Sequence, residues 1–163
     1  MNIFNSGFVQ HIATMKILLF LLSISILSSN VVETPANHVA DRYSITITIT
    51  GIRSTKGSIL LKFYDDNMRF PETDGFRVVR VSKALLVNNT ITVTYHDFSA
   101  KHMGVSLLDD ENENLKLDFG LMFPKEGHAF SDYHHTAFRR PVYEDFRFLL
   151  TGNKNVVMKM KYY

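Results

Sequence analysis

The sequence predicts an all-β fold, with about seven short strands stacked as a sandwich of two antiparallel sheets. Apolar and polar side chains alternate strictly in several short runs, which is the signature of strands with one face buried. Gly, Asn and Asp punctuate those runs at turn positions. No stretch repeats its apolar residues at a convincing helical spacing. A small closed barrel is the alternative architecture.

The first strand carries Ile45, Ile47 and Ile49 on one face and Ser44, Thr46, Thr48 and Thr50 on the other. Gly51 ends it, and Gly57 closes a turn into Ser58–Tyr64, so these two runs read as a hairpin. A polar loop from Asp65 to Gly75 contains Phe70-Pro71. Strands are expected next at Phe76–Val81 and Ala84–Val87. Asn88-Asn89 then turns the chain into Thr90–Tyr95, which alternates again. Met103, Val105 and Leu107 alternate with Gly104 and Ser106 in the following strand. Phe146–Leu150, a turn at Thr151-Gly152-Asn153, and Val156–Tyr162 complete the set.

One stretch breaks this rhythm. From Asp109 to Val142 more than about thirty residues show no clear strand, a length that in a compact domain marks a functional or disordered loop. Phe119, Leu121, Met122, Phe123, Phe130, Tyr133 and Phe138 make it too apolar for disorder. It is expected to be ordered and to pack over a sheet face or one end of the sandwich.

Composition narrows the class. Of the 163 residues, 45% are hydrophobic and 21% charged, which suits a packed domain. A net charge of +2 with its Lys and Arg scattered along the chain gives nucleic acid no continuous basic surface. Cysteine is absent, so neither disulfides nor a lipidated Cys can contribute.

Near the N-terminus, Lys16 precedes an apolar run from Ile17 to Leu27, and about eleven residues is the length of a secretory signal core. Ser28-Ser29 or Thr34-Pro35-Ala36 offers small residues for cleavage, and Met15 reads as the natural start. The expected layout is a signal segment over 1–36 and one β-sandwich domain over 37–163. The expected localisation is then secreted, periplasmic or outer-envelope associated, with no stable membrane span after cleavage. An uncleaved anchor is the alternative.

Chemistry-bearing residues concentrate in the long loop. Asp110, Asn112, Asn114 and Asp118 occupy the first, third, fifth and ninth places of a calcium-binding loop, where a hard cation collects oxygens. Leu115 stands at the sixth place, which wants Gly, and Leu121 at the twelfth, which wants Glu. An Asx-rich turn capping its own backbone is the competing reading. The seven His lack zinc-ligand spacing, and no H-E-x-x-H is present. There is no G-x-S-x-G elbow, no Gly-rich phosphate loop, and no partner for Ser131. Glu126 with Asp132, and Glu144 with Asp145, are the nearest approach to paired catalytic acids. Asn88-Asn89-Thr90 matches a glycosylation sequon and reads equally as a turn.

Two segments carry a family resemblance: I-T-I-T-I-T-G-I-R-S-T-K-G-S-I-L-L-K-F-Y at 45–64, and L-D-D-E-N-E-N-L-K-L-D-F-G-L-M-F-P-K-E-G-H-A-F-S at 108–131. They are similar to the bacterial exported proteins grouped as domain of unknown function 2141, typified by G-I-R-x-x-x-G, H-D-E-N-x-N-G-K-L-D and P-K-E-G-x-G-F-S. Tyr143-Glu144-Asp145-Phe146 matches a final F-E-D-like segment. The resemblance implies a transthyretin-like or immunoglobulin-like sandwich with no established activity. Asp109, Leu115 and Ala129 depart from the family's His, Gly and Gly, and the connection from Asp118 to Pro124 is one residue shorter.

The function expected from these readings is a non-enzymatic binding or interaction module of the cell envelope. The 109–141 loop would be its recognition surface, with Phe119, Phe123, Glu126 and Tyr133 as contact groups and an envelope protein or glycan as partner. For Phe130 a second small core beneath the loop is the expected place. The alternatives are a structural accessory domain of an envelope complex, and a hydrolase using Asp110, Glu126 or a His. Calcium is the one cofactor the residues suggest.

Overall fold

The computed structural model describes residues 41–136 and 139–163. The expected signal segment over 1–36, and Phe138 of the long loop, lie outside the described residues. Among the described residues are eight strands: β1 Arg42–Thr50, β2 Ser58–Asp65, β3 Arg77–Ser82, β4 Thr90–Ser99, β5 Lys101–Asp110, β6 Gly127–Phe130, β7 Phe148–Leu150 and β8 Lys154–Lys159. A single 3-10 turn, Lys83–Leu85, follows β3, and one short helix, α1 Tyr143–Phe146, precedes β7. The strands form a three-stranded sheet in the order β4-β1-β8. The other sheet has five strands, in the order β3-β2-β5-β6 with β7 also paired to β5.

Alternation dictates the packing. Ile45, Ile47 and Ile49 of β1 are fully buried. On the opposite face Thr46 meets Thr94 and Thr48 meets Thr92 through their hydroxyls, at 2.9 and 3.5 Å. Such β-branched cross-strand pairs favour an extended backbone, and each buried Ile contributes roughly 1.5–3 kcal/mol. The three isoleucines, with Ile91, Val156 and Met158 of their sheet, share one apolar cluster with Ile59, Leu61, Phe63, Met103, Val105 and Leu107 of the other.

The outer face of the five-stranded sheet is covered too. Tyr64 of β2 joins Phe130, Tyr143 and Phe146 in a second apolar cluster, with Met68, Phe70 and Tyr133 packed against it. Gly104 of β5 leaves room for this lid, because a Cβ there would lie 2.7 Å from the Phe146 ring. Strand β2 is therefore buried on both sides, which explains its run of apolar residues without alternation.

Four sequence expectations are corrected. β1 and β2 do not form a hairpin: β1 pairs with β4 and β8, while β2 pairs with β3 and β5. The link between them passes from one sheet to the other, with Ile52 buried and its N–H donating to Asn89 O. The expected strand Ala84–Val87 is replaced by the 3-10 turn, capped by the Ser82 hydroxyl, and Val87 makes only an isolated bridge to Thr90 across Asn88-Asn89. The long loop is interrupted by β6, which pairs with β5 from Ser106–Phe130 to Asp109–Gly127. Finally, β8 runs parallel to β1, so the pairing is not wholly antiparallel. The Thr151-Gly152-Asn153 turn carries the chain from β7 in one sheet to β8 in the other, and Asn153 Oδ1 accepts the Ser44 N–H at 2.9 Å.

Candidate functional site

Strand β5 ends in Asp109 and Asp110, both fully buried, and delivers the chain into the 111–126 loop. Asp110 organises that loop through its carboxylate. Its Oδ1 accepts the Asn114 N–H at 3.0 Å and its Oδ2 the Leu115 N–H at 2.9 Å. Asn112 Oδ1 accepts the Asn114 N–H, and Asn114 Oδ1 accepts the Lys116 N–H, which makes a series of Asx turns. The side-chain amides of Asn112 and Asn114 both donate to Asp118, at 2.6 and 3.1 Å. The structure thus brings Asn112, Asn114 and Asp118 together, with Asp110 joined to them through the backbone. Leu115 adopts a φ of 65°, the left-handed conformation for which a calcium loop uses Gly. Among the described residues no three His, Asp or Glu are grouped as metal ligands.

Glu126 sits beneath the loop. It is buried, and its two oxygens accept the Glu111 and Asp118 N–H groups, each at 3.1 Å. Burial pushes its carboxyl above the usual range, against the pull of those two donors. Its place is thus a clamp between the two arms of the loop. Arg53 adds a second clamp: its guanidinium grips Glu111 through two hydrogen bonds of 2.9 and 2.8 Å, and donates to Lys125 O at 3.1 Å. The hydrogen bonds from Arg53 hold the Glu111 carboxyl below its ordinary value, against the effect of burial, with Ser54 and the Arg53 charge adding to them. The guanidinium also lies 4.4 Å from the Tyr162 ring centroid, and the Tyr162 hydroxyl donates to Asp109.

These clamps hold up an apolar tip. The Lys125 N–H donates to Asp118 O at 2.8 Å and the Gly120 N–H to Phe123 O at 2.7 Å, closing a tight turn whose corner is Leu121-Met122. Leu121 is fully exposed, Met122 is 78% exposed, Phe119 62% and Phe123 45%. Phe123 stacks on Tyr163 with centroids 4.8 Å apart and planes 12° apart. Of the other ring positions, Phe130 belongs to the second core, and half-buried Tyr133 packs against that core with its hydroxyl 3.2 Å from His135 Nδ1.

A concavity lies between the 66–72 loop and α1, an open cleft of about 450 Å³ that includes Asp66, Arg69, Phe70, Tyr143 and Arg147. Asp66 is shared there by His102, at 3.1 Å, and Arg147, at 3.6 Å. Sequence reasoning missed this cleft, because its walls come from segments far apart in the chain. It also gave no role to Arg53, Lys83, Asp109 or Tyr162. The G-I-R and D-D-E-N motifs carried a signal for Arg53 and Asp109; nothing in the sequence marked Lys83.

The family model described as "Uncharacterized protein conserved in bacteria (DUF2141)" matches residues 47–159. That span runs from the middle of β1 to the end of β8 and includes both clamps and the tip. No curated protein and no solved structure matches the chain. The chain belongs to this family of uncharacterised bacterial proteins.

Proposed function

We propose that the domain is a non-enzymatic interaction module of the bacterial cell envelope, whose contact surface is the tip Phe119–Phe123. The observation that carries this reading is a pair of apolar side chains, Leu121 and Met122, held out in solvent by a hydrogen-bonded turn. Apolar groups that a fold does not need for its core, presented on a fixed scaffold, suit a partner surface. The exposed Phe123–Tyr163 stack suits a protein or a glycan. The oxygens of Asp110 and Glu126 are spent on backbone N–H groups, which favours this reading over a hydrolase. The shared core supports a sandwich of transthyretin-like or immunoglobulin-like kind.

The test is a photoreactive residue installed at Met122 in cells producing the whole chain, with exposed Val157 on β8 as the control position. A discrete crosslinked partner from Met122 alone is expected. Identical patterns from both positions would remove the tip from consideration, and fractionation placing the chain in the cytoplasm would remove the envelope.

A second reading is a weak calcium site at Asp110, Asn112, Asn114 and Asp118. Contact among the last three, together with the left-handed Leu115, supports it. Calorimetric titration of the metal-free protein that releases no heat at millimolar calcium rejects it.

A further inference from the structure

Lys83 and Asp109 meet inside the core, in direct contact and shielded from water. Ile59 of β2 stands between Val81 of β3 and Asp109 of β5 in register. Lys83, two residues beyond Val81, reaches across this central strand to Asp109. The side chains are 1% and 0% exposed, and Nζ touches Oδ1. An ammonium has three protons to donate and a carboxylate two oxygens to satisfy. Here Nζ donates one hydrogen bond, to Lys56 O at 2.5 Å. Oδ2 accepts one, from the Tyr162 hydroxyl at 2.5 Å. Oδ1 is buried, faces Nζ, and has no other donor among the described residues. One N–H with an acceptor and one oxygen with a donor are the needs of a secondary amide. As an ion pair, Nζ would have Lys56 O and Oδ1 as acceptors and a third proton with none among the described residues, and each desolvated charge carries a penalty of several kcal/mol.

We infer that Lys83 and Asp109 join in an intramolecular isopeptide bond, Nζ to Cγ, with loss of one water. The ammonium supplies all the protons required. One moves to Oδ1, leaving a neutral amine facing a neutral acid, the pairing that a water-free site favours over two charges. The Nζ lone pair then attacks Cγ, and the Tyr162 hydroxyl stabilises the negative charge that develops on Oδ2. A second proton passes from nitrogen to Oδ1, the charge on Oδ2 returns to re-form the carbonyl, and the Cγ–Oδ1 bond breaks to release water. The third stays on nitrogen and remains bonded to Lys56 O. Nothing is oxidised or reduced, and no co-reactant is needed. The product staples the segment after β3 to the end of β5 in a chain that has no cysteine for a disulfide.

Proteolysis of the folded full chain followed by tandem mass spectrometry tests the bond directly. A branched peptide joining the Lys83 and Asp109 segments is expected, lighter by one water than the two linear peptides together. The intact chain should show the same deficit against a Lys83→Met/Asp109→Ala double variant, after correction for the substitutions. Separate linear peptides at full mass overturn the inference and leave a buried ion pair. A one-water deficit confined to the Asp109 peptide also overturns it, since that is succinimide formation. The wild-type digest is decisive by itself, whether or not the double variant folds.

Discussion

Acid should destabilise the fold through His128, in a pH window set by burial of its ring. His128 sits in β6 with the Tyr163 and Phe130 rings each 5.8 Å away, and its Nδ1 is buried with no hydrogen-bond partner among the described residues. Burial first, then the charges of His135 and Lys161, lower its pKa from 6.5 to about 4. In the unfolded chain the ring titrates near 6.5. Between those values the unfolded chain binds a proton that the folded chain refuses. Stability is therefore fully present above about pH 6.5 and is lost as pH falls toward about 4. Fully realised, that difference amounts to about 3.4 kcal/mol, at about 1.4 kcal/mol for each tenfold change. The ring is only partly buried, so solvent screening reduces the effect to about 1–2 kcal/mol. His128→Phe keeps the stack and removes the proton site. Urea unfolding of wild type and variant at about pH 7, 6 and 5 should show the wild type losing about 1 kcal/mol more than the variant over that range. Glu111, Asp74 and Asp145, whose carboxyls are lowered, lose their contributions only at more acid pH. His135, also lowered by burial, contributes a residual slope of the same sign in both proteins. Parallel slopes for the two proteins would falsify the assignment, because they would mean that the folded ring takes its proton freely.

Other substitutions test the supports of the loop. Glu126→Ala leaves two inward N–H groups without their acceptor, so denaturant unfolding should show a loss of about 2–4 kcal/mol. A loss below about 0.5 kcal/mol would mean that water replaces the clamp at no cost. Gly57→Ala forces a Cβ to within 2.0 Å of Asp110 O at a φ of 67°. It should cost more than about 2 kcal/mol or prevent folding, read by thermal unfolding and soluble yield. Leu121→Ser with Met122→Ser should change stability by less than about 0.5 kcal/mol. A large loss of melting temperature in that double variant would assign the tip to the core instead.

The strands were legible wherever one face meets water. Ile45, Ile47 and Ile49 alternate with threonines because the outer face of β1 is solvated, so period and burial agree. Legibility failed where both faces are covered or where partners are remote. Gly127-His128-Ala129-Phe130 has neither β-branched residues nor alternation. It is a strand because Ala129 enters the main core and Phe130 the second one, on opposite faces of β5's neighbour. Gly51 and Gly57 read as hairpin turns, since local chemistry cannot distinguish a turn within a sheet from a crossing between two. At the site, the Asp/Asn spacing revealed a tight loop. It did not reveal that Glu126 and Arg53 brace that loop from elsewhere in the chain, because those contacts are tertiary.

The arrangement of the 109–126 loop separates what the fold requires from what it can spare. Asp110, Glu111 and Glu126 each satisfy two or more donors, and charge-assisted hydrogen bonds of this kind contribute roughly 1.5–3 kcal/mol each, net of water, where they are buried, and less at the partly exposed Arg53–Glu111 pair. A loop with that much internal anchoring has no need of an apolar corner. Burying Phe119, Leu121 or Met122 would instead gain roughly 1.5–3 kcal/mol apiece. The turn closed by Gly120 and Phe123 forgoes that gain by keeping these side chains outside. On the interaction-module reading proposed above, a partner surface would recover it on contact, with little ordering entropy left to lose because the turn is already fixed. The rigid braces are thus what make an exposed Leu121-Met122 corner informative, since the same residues on a mobile loop would signify nothing about binding.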